Sequence, residues 1–465
     1  MSMLIKSGNI VTSTTTYTAD ILVENGIIIS IGNNLEKTLT TKPAEIINAK
    51  DRYILPGAID PHTHLAMPFM GTHSQDDYET GTIAAACGGY TSIIDFVIQQ
   101  KGESIKQAID RKKGIADGKT ALDYSLHPAI TDMTPEIVDE IEYAIKDYGT
   151  PSIKLFMTYS FRVDDQVLLK VLNKAKEFGG LVQVHAENFH MIEYMNEIFA
   201  KEGKLAPIYH AKSRPNIAEQ EAISRVIKFV ELTNSRVYIV HLSSKEGLSE
   251  IISARNKNLE VYAETCPQYI LLNENCYNEK DWAGAKYVMS PPIRTKDSNA
   301  ALWNGLKTGD IQTIGSDHCP FDFHGRKDMF GKDDYKKIPN GAPGIETSLM
   351  LLYSEGVRKG KLTINELVSV TSTNVAKIFG MNQKGEIAVG KDADIVIFNP
   401  NQKFKIRNDK LHMNVDYTPF EGMDITGMPE KVFSRGEKVA EWNGDRVKFV
   451  GKLGTGKFIK RQIIY

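Results

Sequence analysis

Between residues 54 and 317, short apolar runs alternate with segments whose apolar residues recur at helical spacing. The runs are ILPGAID (54–60), TSIIDFV (91–97), LDYSLHP (122–128), SIKLFM (152–157), LVQVHAE (181–187), VYIVHLS (237–243), EVYAETC (260–266) and IQTIGSD (311–317). Between them, TPEIVDEIEYAIKDYG (134–149) offers Thr134 as an N-cap, acidic residues in its first turn and a closing Gly. DDQVLLKVLNKAKEFGG (164–180) is punctuated in the same way, and AEQEAISRVIKFVEL (218–232) keeps apolar residues on one helical face. Eight strands alternating with helices predict an α/β protein built on a closed (β/α)8 barrel.

The flanks read differently. Residues 1–52 and 385–465 carry short β patterns separated by turns, such as LIKSGNIVTS, DILVENGIIISIG and DADIVIFNP. They are expected to form two parts of one small β-sandwich, with the barrel over 53–384 inserted between them. FDFHGRKDMFGKDDYKKIPNGAPGIE (321–346) has no periodicity, and a connection this long reads as a functional loop across the barrel mouth.

Length and composition narrow the class without changing it. A chain of 465 residues suits one barrel-sized domain and a smaller one, and 42% hydrophobic with 25% charged residues is ordinary for a soluble globular protein. The formal net charge of -2 gives no reason to expect nucleic acid or an anionic membrane as partner. MSMLIKSGNIV lacks the apolar core of a signal peptide, and no stretch approaches the roughly 18–20 apolar residues of a membrane span. Cys87, Cys266, Cys276 and Cys319 form no C-x-x-C pair, so a cytoplasmic protein with buried thiols is expected.

Barrel chemistry sits at the C-terminal ends of the strands. The first strand ends in His62 and His64, which as i and i+2 residues project to one face. The fourth carries Lys154, the fifth His185, the sixth His241 and the eighth Asp317. Each alone has an ordinary explanation: a hydrogen-bonded strand-end His or Asp, or a Lys whose amine reaches to the surface. Five strands carrying such groups at the same end bring them to one axis. Neutral imidazoles and a carboxylate suit zinc, with manganese or iron also open. A lysine ammonium, with an ordinary pKa of about 10.4, would repel cations. Converted by carbon dioxide to a carbamate, it would become an anionic bridge for two metals about 3.5–4 Å apart.

With these residues in place, the chain resembles the amidohydrolase superfamily and, within it, the dihydropyrimidinase and hydantoinase family. The stretches GAIDPHTHLAMPF, SIKLFMTY, LVQVHAEN, YIVHLSS, ETCPQYI, SPPIR, GSDHCPF and IPNGAPG carry the resemblance from residue 57 to 344. GEIAVGKDADIVIF and VDYTPFEGM extend it over nearly the whole chain. The resemblance implies two divalent metals, zinc first. One would be held by His62, His64, Asp317 and carboxylated Lys154, the other by His185, His241 and the same carbamate, with a bridging hydroxide as nucleophile. It implies that Asp317 also shuttles the proton to the leaving ring nitrogen, and that Tyr159 donates to the developing oxyanion. Backbone groups at Ser290 and Asn340 would bind the ureide edge of the substrate.

The implied reaction opens cyclic ureides, 5,6-dihydropyrimidines such as dihydrouracil and 5-substituted hydantoins, to N-carbamoyl amino acids. Leu65, Phe69, Phe156 and Tyr159, with the loops at 65–74, 96–102 and 156–163, are expected to receive the 5-substituent, and Phe156 and Tyr159 match D-selective members. A sibling activity, allantoinase-like or dihydroorotase-like, is the alternative. Dihydroorotase-like sequences usually place Arg two residues after the second His of the pair, where this chain has Ala66, followed by Met67, Pro68 and Phe69. Two departures from the family pattern are Ala66 itself and IETSLML (345–351), which replaces an acidic-arginine pair. Non-catalytic scaffold relatives lack several ligands, whereas all six are present here. The resemblance also implies a homotetramer. His73, His190, His210, His324 and His412 read as surface or capping residues, and His318 is expected to face away from Asp317.

Overall fold

The computed structural model describes residues 2–39 and 42–463. Residues 1, 40–41 and 464–465, which belong to the two expected sandwich parts, lie outside the described residues.

Eight parallel strands form the barrel: β1 (Ala58–Thr63), β2 (Tyr90–Ile98), β3 (Asp123–Ala129), β4 (Ser152–Phe156), β5 (Leu181–His185), β6 (Val237–Ile239), β7 (Val261–Thr265) and β8 (Thr313–Ile314). They pair in sequence order, and a parallel bridge between Thr63 and His318 closes the ring from β8 back to β1. The last strands are shorter than their apolar runs, because the chain leaves the ladder to present side chains. His241 and Asp317 follow the ends of β6 and β8 with φ of 39° and 51°, left-handed values costly for non-glycine residues.

The helices follow the predicted faces. They include α1 (Tyr78–Cys87), α2 (Ile105–Ala116), α3 (Pro135–Lys146) and α4 (Asp165–Glu177). Asp164 caps α4 by accepting from the Val167 N–H at 2.8 Å. Thr134 occupies the N-cap position of α3 but makes no capping bond. The third helix read from the sequence runs Asn216–Thr233 and buries Ala222, Ile223, Val226, Ile227 and Val230.

The run read as one strand over 54–60 divides at Gly57. Tyr53–Pro56 pairs antiparallel with Ile395–Phe398 in a second sheet, and only the following residues enter the barrel. A side chain on Gly57 would meet Thr91 Oγ1 at 2.1 Å, so the passage between sheets needs a residue without Cβ. The second sheet has nine strands drawn from both ends of the chain. At its centre the strands are buried on both faces: Ile54, Ile395 and Ile397 join a core of its own, while Leu55, Val396 and Phe398 pack into the main core of the barrel. Lys384 ties sheet to barrel through Asp123 of β3 (2.9 Å), Asp392 (3.0 Å) and Asp394 (2.6 Å). The last described residues return beneath the barrel, where buried Arg461 donates to Ser125 Oγ and to the carbonyls of Leu126 and Phe379. No helix among the described residues is long and apolar enough to cross a membrane.

Candidate metal-dependent active site

A cavity opens at the C-terminal end of the barrel. His62, His64, Lys154, His185, His241 and Asp317 all line it, as do Phe156, Tyr159, Ser290 and Asn340. Leu65 does not. Its backbone carries it to the opposite face from His62 and His64, and its side chain packs over Gly81 of α1. The expected substituent pocket is instead walled by Met67, Phe69, Ile98, Phe156, Tyr159 and Phe161.

The candidate ligand set is placed by groups at its back. Asp60 Oδ1 accepts from the N–H of His62 (3.0 Å) and of Ser316 (3.1 Å), tying β1 to the segment that carries Asp317. A side chain on Gly315 would stand 2.6 Å from the Glu264 carboxylate and 2.8 Å from His62 Cβ, so GSD must begin with glycine. Asp95 grips both sides of His64: Oδ1 accepts from Thr63 Oγ1 and the Leu65 N–H, each at 2.9 Å. Its Oδ2 accepts from Tyr78 Oη (2.7 Å) and pairs with buried Lys112 (3.0 Å).

Asp317 Oδ1 lies 3.3 Å from His62 Nε2 and 3.2 Å from His64 Nε2, and these three residues form a constellation able to hold a cation. Across the cavity His185 Nδ1 and His241 Nε2 are 3.0 Å apart. Buried carboxylates set the tautomers. His62 Nδ1–H donates to Glu264 Oε1 at 2.6 Å, which turns the Nε2 lone pair to the cavity. His185 Nε2–H donates to Glu187 Oε2 at 2.7 Å, which turns the Nδ1 lone pair inward. Burial keeps His62, His185 and His241 below the ordinary imidazole range, hence neutral.

Between the two halves Lys154 is 1% exposed, its amine 4.8 Å from the centroid of Phe96 and 5.2 Å from that of Phe156. Burial pulls it down to about 7, against the attraction of Glu264 and Asp317. Burial alone would raise Asp317, but His62, His64 and Lys154 outweigh it and hold the carboxyl below its ordinary range. The donor set therefore fits divalent cations. Buried imidazoles converge on a carboxylate and on an amine that loses its proton near neutral pH, and His62 Nε2 has no hydrogen-bond partner among the described residues.

At the mouth Tyr159 adopts φ 71°, stacks on Phe161 at 5.3 Å and meets His185 edge-on at 5.4 Å. Asn340 Nδ2 donates to Ser290 Oγ at 3.2 Å, bringing the two expected substrate contacts together. The long loop 321–346 does lie here, with Tyr335, Lys336 and Asn340 beside the entrance. His318 turns away, as expected, to Asp76 Oδ2 at 2.9 Å. His210, read as a surface or capping residue, is buried instead, because the mouth loop covers its short helix, and it meets the Met289 carbonyl at 2.8 Å. Glu264, Glu187 with Arg214, and Phe96 were not singled out from the sequence.

The chain belongs to the amidohydrolase family, whose model matches residues 53–439. Within that family it is similar over its full length to hydantoinases and a dihydropyrimidinase. It is 48% identical to the D-hydantoinase of Geobacillus stearothermophilus over 464 residues, 99% of this chain and 97% of that one. The crystal structure of the dihydropyrimidinase from Brevibacillus agri NCHU1002 superposes with a TM-score of 0.96 at 46% identity, covering 100% of both chains. The L-hydantoinase (dihydropyrimidinase) from Arthrobacter aurescens gives 0.89 at 28% identity, over 99% of each chain.

Proposed function

We infer that this protein is a metal-dependent hydrolase that opens the ring of cyclic ureides, 5-substituted hydantoins and 5,6-dihydropyrimidines, to N-carbamoyl amino acids. The observation that carries the reading is the convergence of four histidines, Asp317 and Lys154 on one cavity whose other wall holds Tyr159, Ser290 and Asn340. His62, His64 and Asp317 would hold one cation and His185 with His241 a second, Zn2+ being the first choice for imidazole and carboxylate donors. Carboxylated Lys154 would bridge them. Only an uncharged amine attacks carbon dioxide, and a lysine near 7 supplies that form at neutral pH. Bound cations would supply Lewis-acid polarisation of the ring carbonyl and an acidified water.

The chain's own groups perform the rest. Ser290 and Asn340 fix the ureide edge by backbone groups, so that the scissile carbonyl faces the histidines. The Tyr159 hydroxyl donates to the carbonyl oxygen as it becomes an oxyanion, a contact worth roughly 10²–10³ in rate. Asp317, ionised at neutral pH, takes the proton of the attacking water and delivers it to the ring nitrogen as the C–N bond breaks. Met67, Phe69, Ile98 and Phe161 receive an apolar 5-substituent and keep bulk water from it.

A D-preference is supported by the closer match to D-hydantoinases than to the L-hydantoinase, in both identity and superposition. A homotetramer and a cytoplasmic location belong to the same reading, the latter in keeping with four free thiols.

The test is ring opening of dihydrouracil beside D- and L-5-substituted hydantoins by zinc-loaded protein, with a chelated control. Turnover of D-hydantoins above the L-forms, abolished by chelation and by Lys154→Ala, is expected. Turnover of dihydroorotate above all of these, or full activity in Lys154→Ala, would overturn the reading.

A further inference from the structure

A second cluster of ligand-type side chains lies outside the barrel mouth, where three parts of the chain meet. Cys87 ends α1, Glu346 lies on the segment that returns from the mouth loop, and His412 lies on the connection between the sheet strands Ile395–Lys405 and Asp424–Ser434. One ligand atom from each falls within 4.8 Å of the other two. Cys87 and Glu346 are buried, at 0% and 2% exposure, and His412 is partly covered. The approach is close by design of the chain: a side chain on Gly88 would come within 2.8 Å of Glu346 Cα.

Burial pushes the Cys87 thiol and the Glu346 carboxyl up, Arg446 opposing it at the thiol, so a cation taken here would have to displace protons. Glu346 is a buried carboxylate whose only ion-pair partner among the described residues is His412, with Nδ1 and Oε1 2.8 Å apart. Buried carboxylates are costly without a full counter-charge. The C-terminal end of α1 points its carbonyl charge to the same place, and α1 has no basic residue in its last turn. One carboxylate, one thiolate and one neutral imidazole balance a divalent cation to zero, the arrangement a dry site favours. The thiolate selects a borderline-soft ion over magnesium or calcium.

We propose that Cys87, Glu346 and His412 form a further metal site, distinct from the barrel centre, that takes a thiophilic divalent cation such as Zn2+ and staples α1, the returning mouth segment and the terminal sheet. Binding releases the thiol proton of Cys87 to solvent, the His412 ring proton moves from Nδ1 to Nε2, and the cation replaces the His412–Glu346 side-chain hydrogen bond with two coordination bonds. A water completes the coordination on the partly open His412 side. The site also reaches the barrel. Two residues beyond His412, the Asn414 N–H donates to Asp76 Oδ1 at 3.0 Å, and the same carboxylate holds His318 beside Asp317.

The proposal is tested on the full-length protein, stripped by chelation and reloaded with cobalt(II). None of the six side chains proposed to hold metal in the barrel is a thiolate, so a near-ultraviolet thiolate-to-cobalt charge-transfer absorption that persists in Cys319→Ser, the thiol lining the barrel cavity, marks the new site. The wild type is expected to show it, with one more metal equivalent per chain than Cys87→Ser, in which both are lost. His412→Gln, a milder change at a partly exposed position, is expected to weaken cobalt binding at this site at least tenfold. Absence of the absorption in the wild type, or its survival in Cys87→Ser with loss in Cys319→Ser at the barrel cavity, would overturn the proposal. Failure of ring-opening activity leaves this result unaffected, because the absorption does not report on catalysis.

Discussion

Glu264 and Glu187 stand behind opposite halves of the candidate metal centre in the same posture. Each is fully buried and accepts a ring N–H, Glu264 from His62 and Glu187 from His185. Their company differs. Glu187 Oε2 also meets the Arg214 guanidinium at 3.1 Å, and although burial alone would raise it, Arg214 and His185 bring the carboxyl down to about 2. Glu264 has hydrogen bonds from Tyr238 Oη (2.8 Å) and the His241 N–H (3.1 Å) but no guanidinium, and burial pushes it up to about 7. One half of the centre is thus pre-charged by a fixed ion pair. The other carries a carboxylate that hydrogen bonds and Lys154 compensate only in part, so metal binding and ionisation of Glu264 are linked.

The largest effect comes from breaking the group through which the Glu264 half acts on substrate. Asp317→Asn removes the proton carrier and one proposed metal holder, and should lower kcat at least about 10²–10⁴-fold even at saturating zinc, read by steady-state ring opening. Next come the two carboxylates themselves. Glu264→Gln and Glu187→Gln should each weaken metal binding about 10–100-fold by equilibrium dialysis, as loss of a partner that orients a ligand histidine does. Stability separates them. Glu187→Gln leaves the Arg214 charge buried without its carboxylate and should cost about 3–5 kcal/mol in denaturant unfolding of the metal-free protein. Glu264→Gln removes a carboxylate that was poorly compensated, and should cost less. Equal losses would mean that the two halves are not electrostatically different.

The contrast between these residues also marks what could be read in the sequence. The candidate ligands were legible because ligand-type residues ended separate apolar runs, and the barrel brings strand ends together whatever the helices between them do. Glu187 was equally legible in principle: His185 and Glu187 have the same i, i+2 spacing as His62 and His64. Glu264 was not, because it comes from β7, which supplies no ligand, and its meaning depends on a strand pairing that periodicity does not specify. Leu65 was misplaced for lack of the parity rule that correctly paired His62 with His64. The division of 54–60 at Gly57 escaped notice because an apolar run records burial, not which of two sheets buries it. His210 looked like a surface residue because the loop that covers it has no periodic signal.

pH sharpens the comparison further. The folded value for Glu264, about 7, lies above its ordinary 4.5. Folding of the metal-free protein is therefore favoured by this group at low pH and loses that support as pH rises from about 4.5 through about 7. Glu187 has the opposite sign. Its value of about 2 lies below 4.5, so its contribution is complete above 4.5 and is lost as pH falls through about 2. Unfolding of the metal-free wild type and Glu264→Gln should accordingly diverge between pH 5 and 8, in the variant's favour on the alkaline side, whereas Glu187→Gln should stay below the wild type throughout that range.

The smallest expected effect tests the cause of that divergence. The Tyr238 hydroxyl lies 2.8 Å from Glu264 Oε2 and 2.6 Å from Thr313 Oγ1, so Tyr238→Phe removes a donor to Glu264 without touching a ligand histidine. A hydrogen bond to an ionised group is worth about 1.5–3 kcal/mol and one between neutral groups about 1 kcal/mol. In the metal-free protein Tyr238→Phe should therefore cost about 1.5–3 kcal/mol at pH 8, where Glu264 is charged, and about 1 kcal/mol at pH 5, where it holds its proton. The metal-loaded enzyme should show the larger loss at both pH values, because bound cations keep Glu264 ionised. A loss in the metal-free protein that does not change between the two pH values would mean that Glu264 keeps its charge without metal, and the two halves of the centre would then be pre-charged alike.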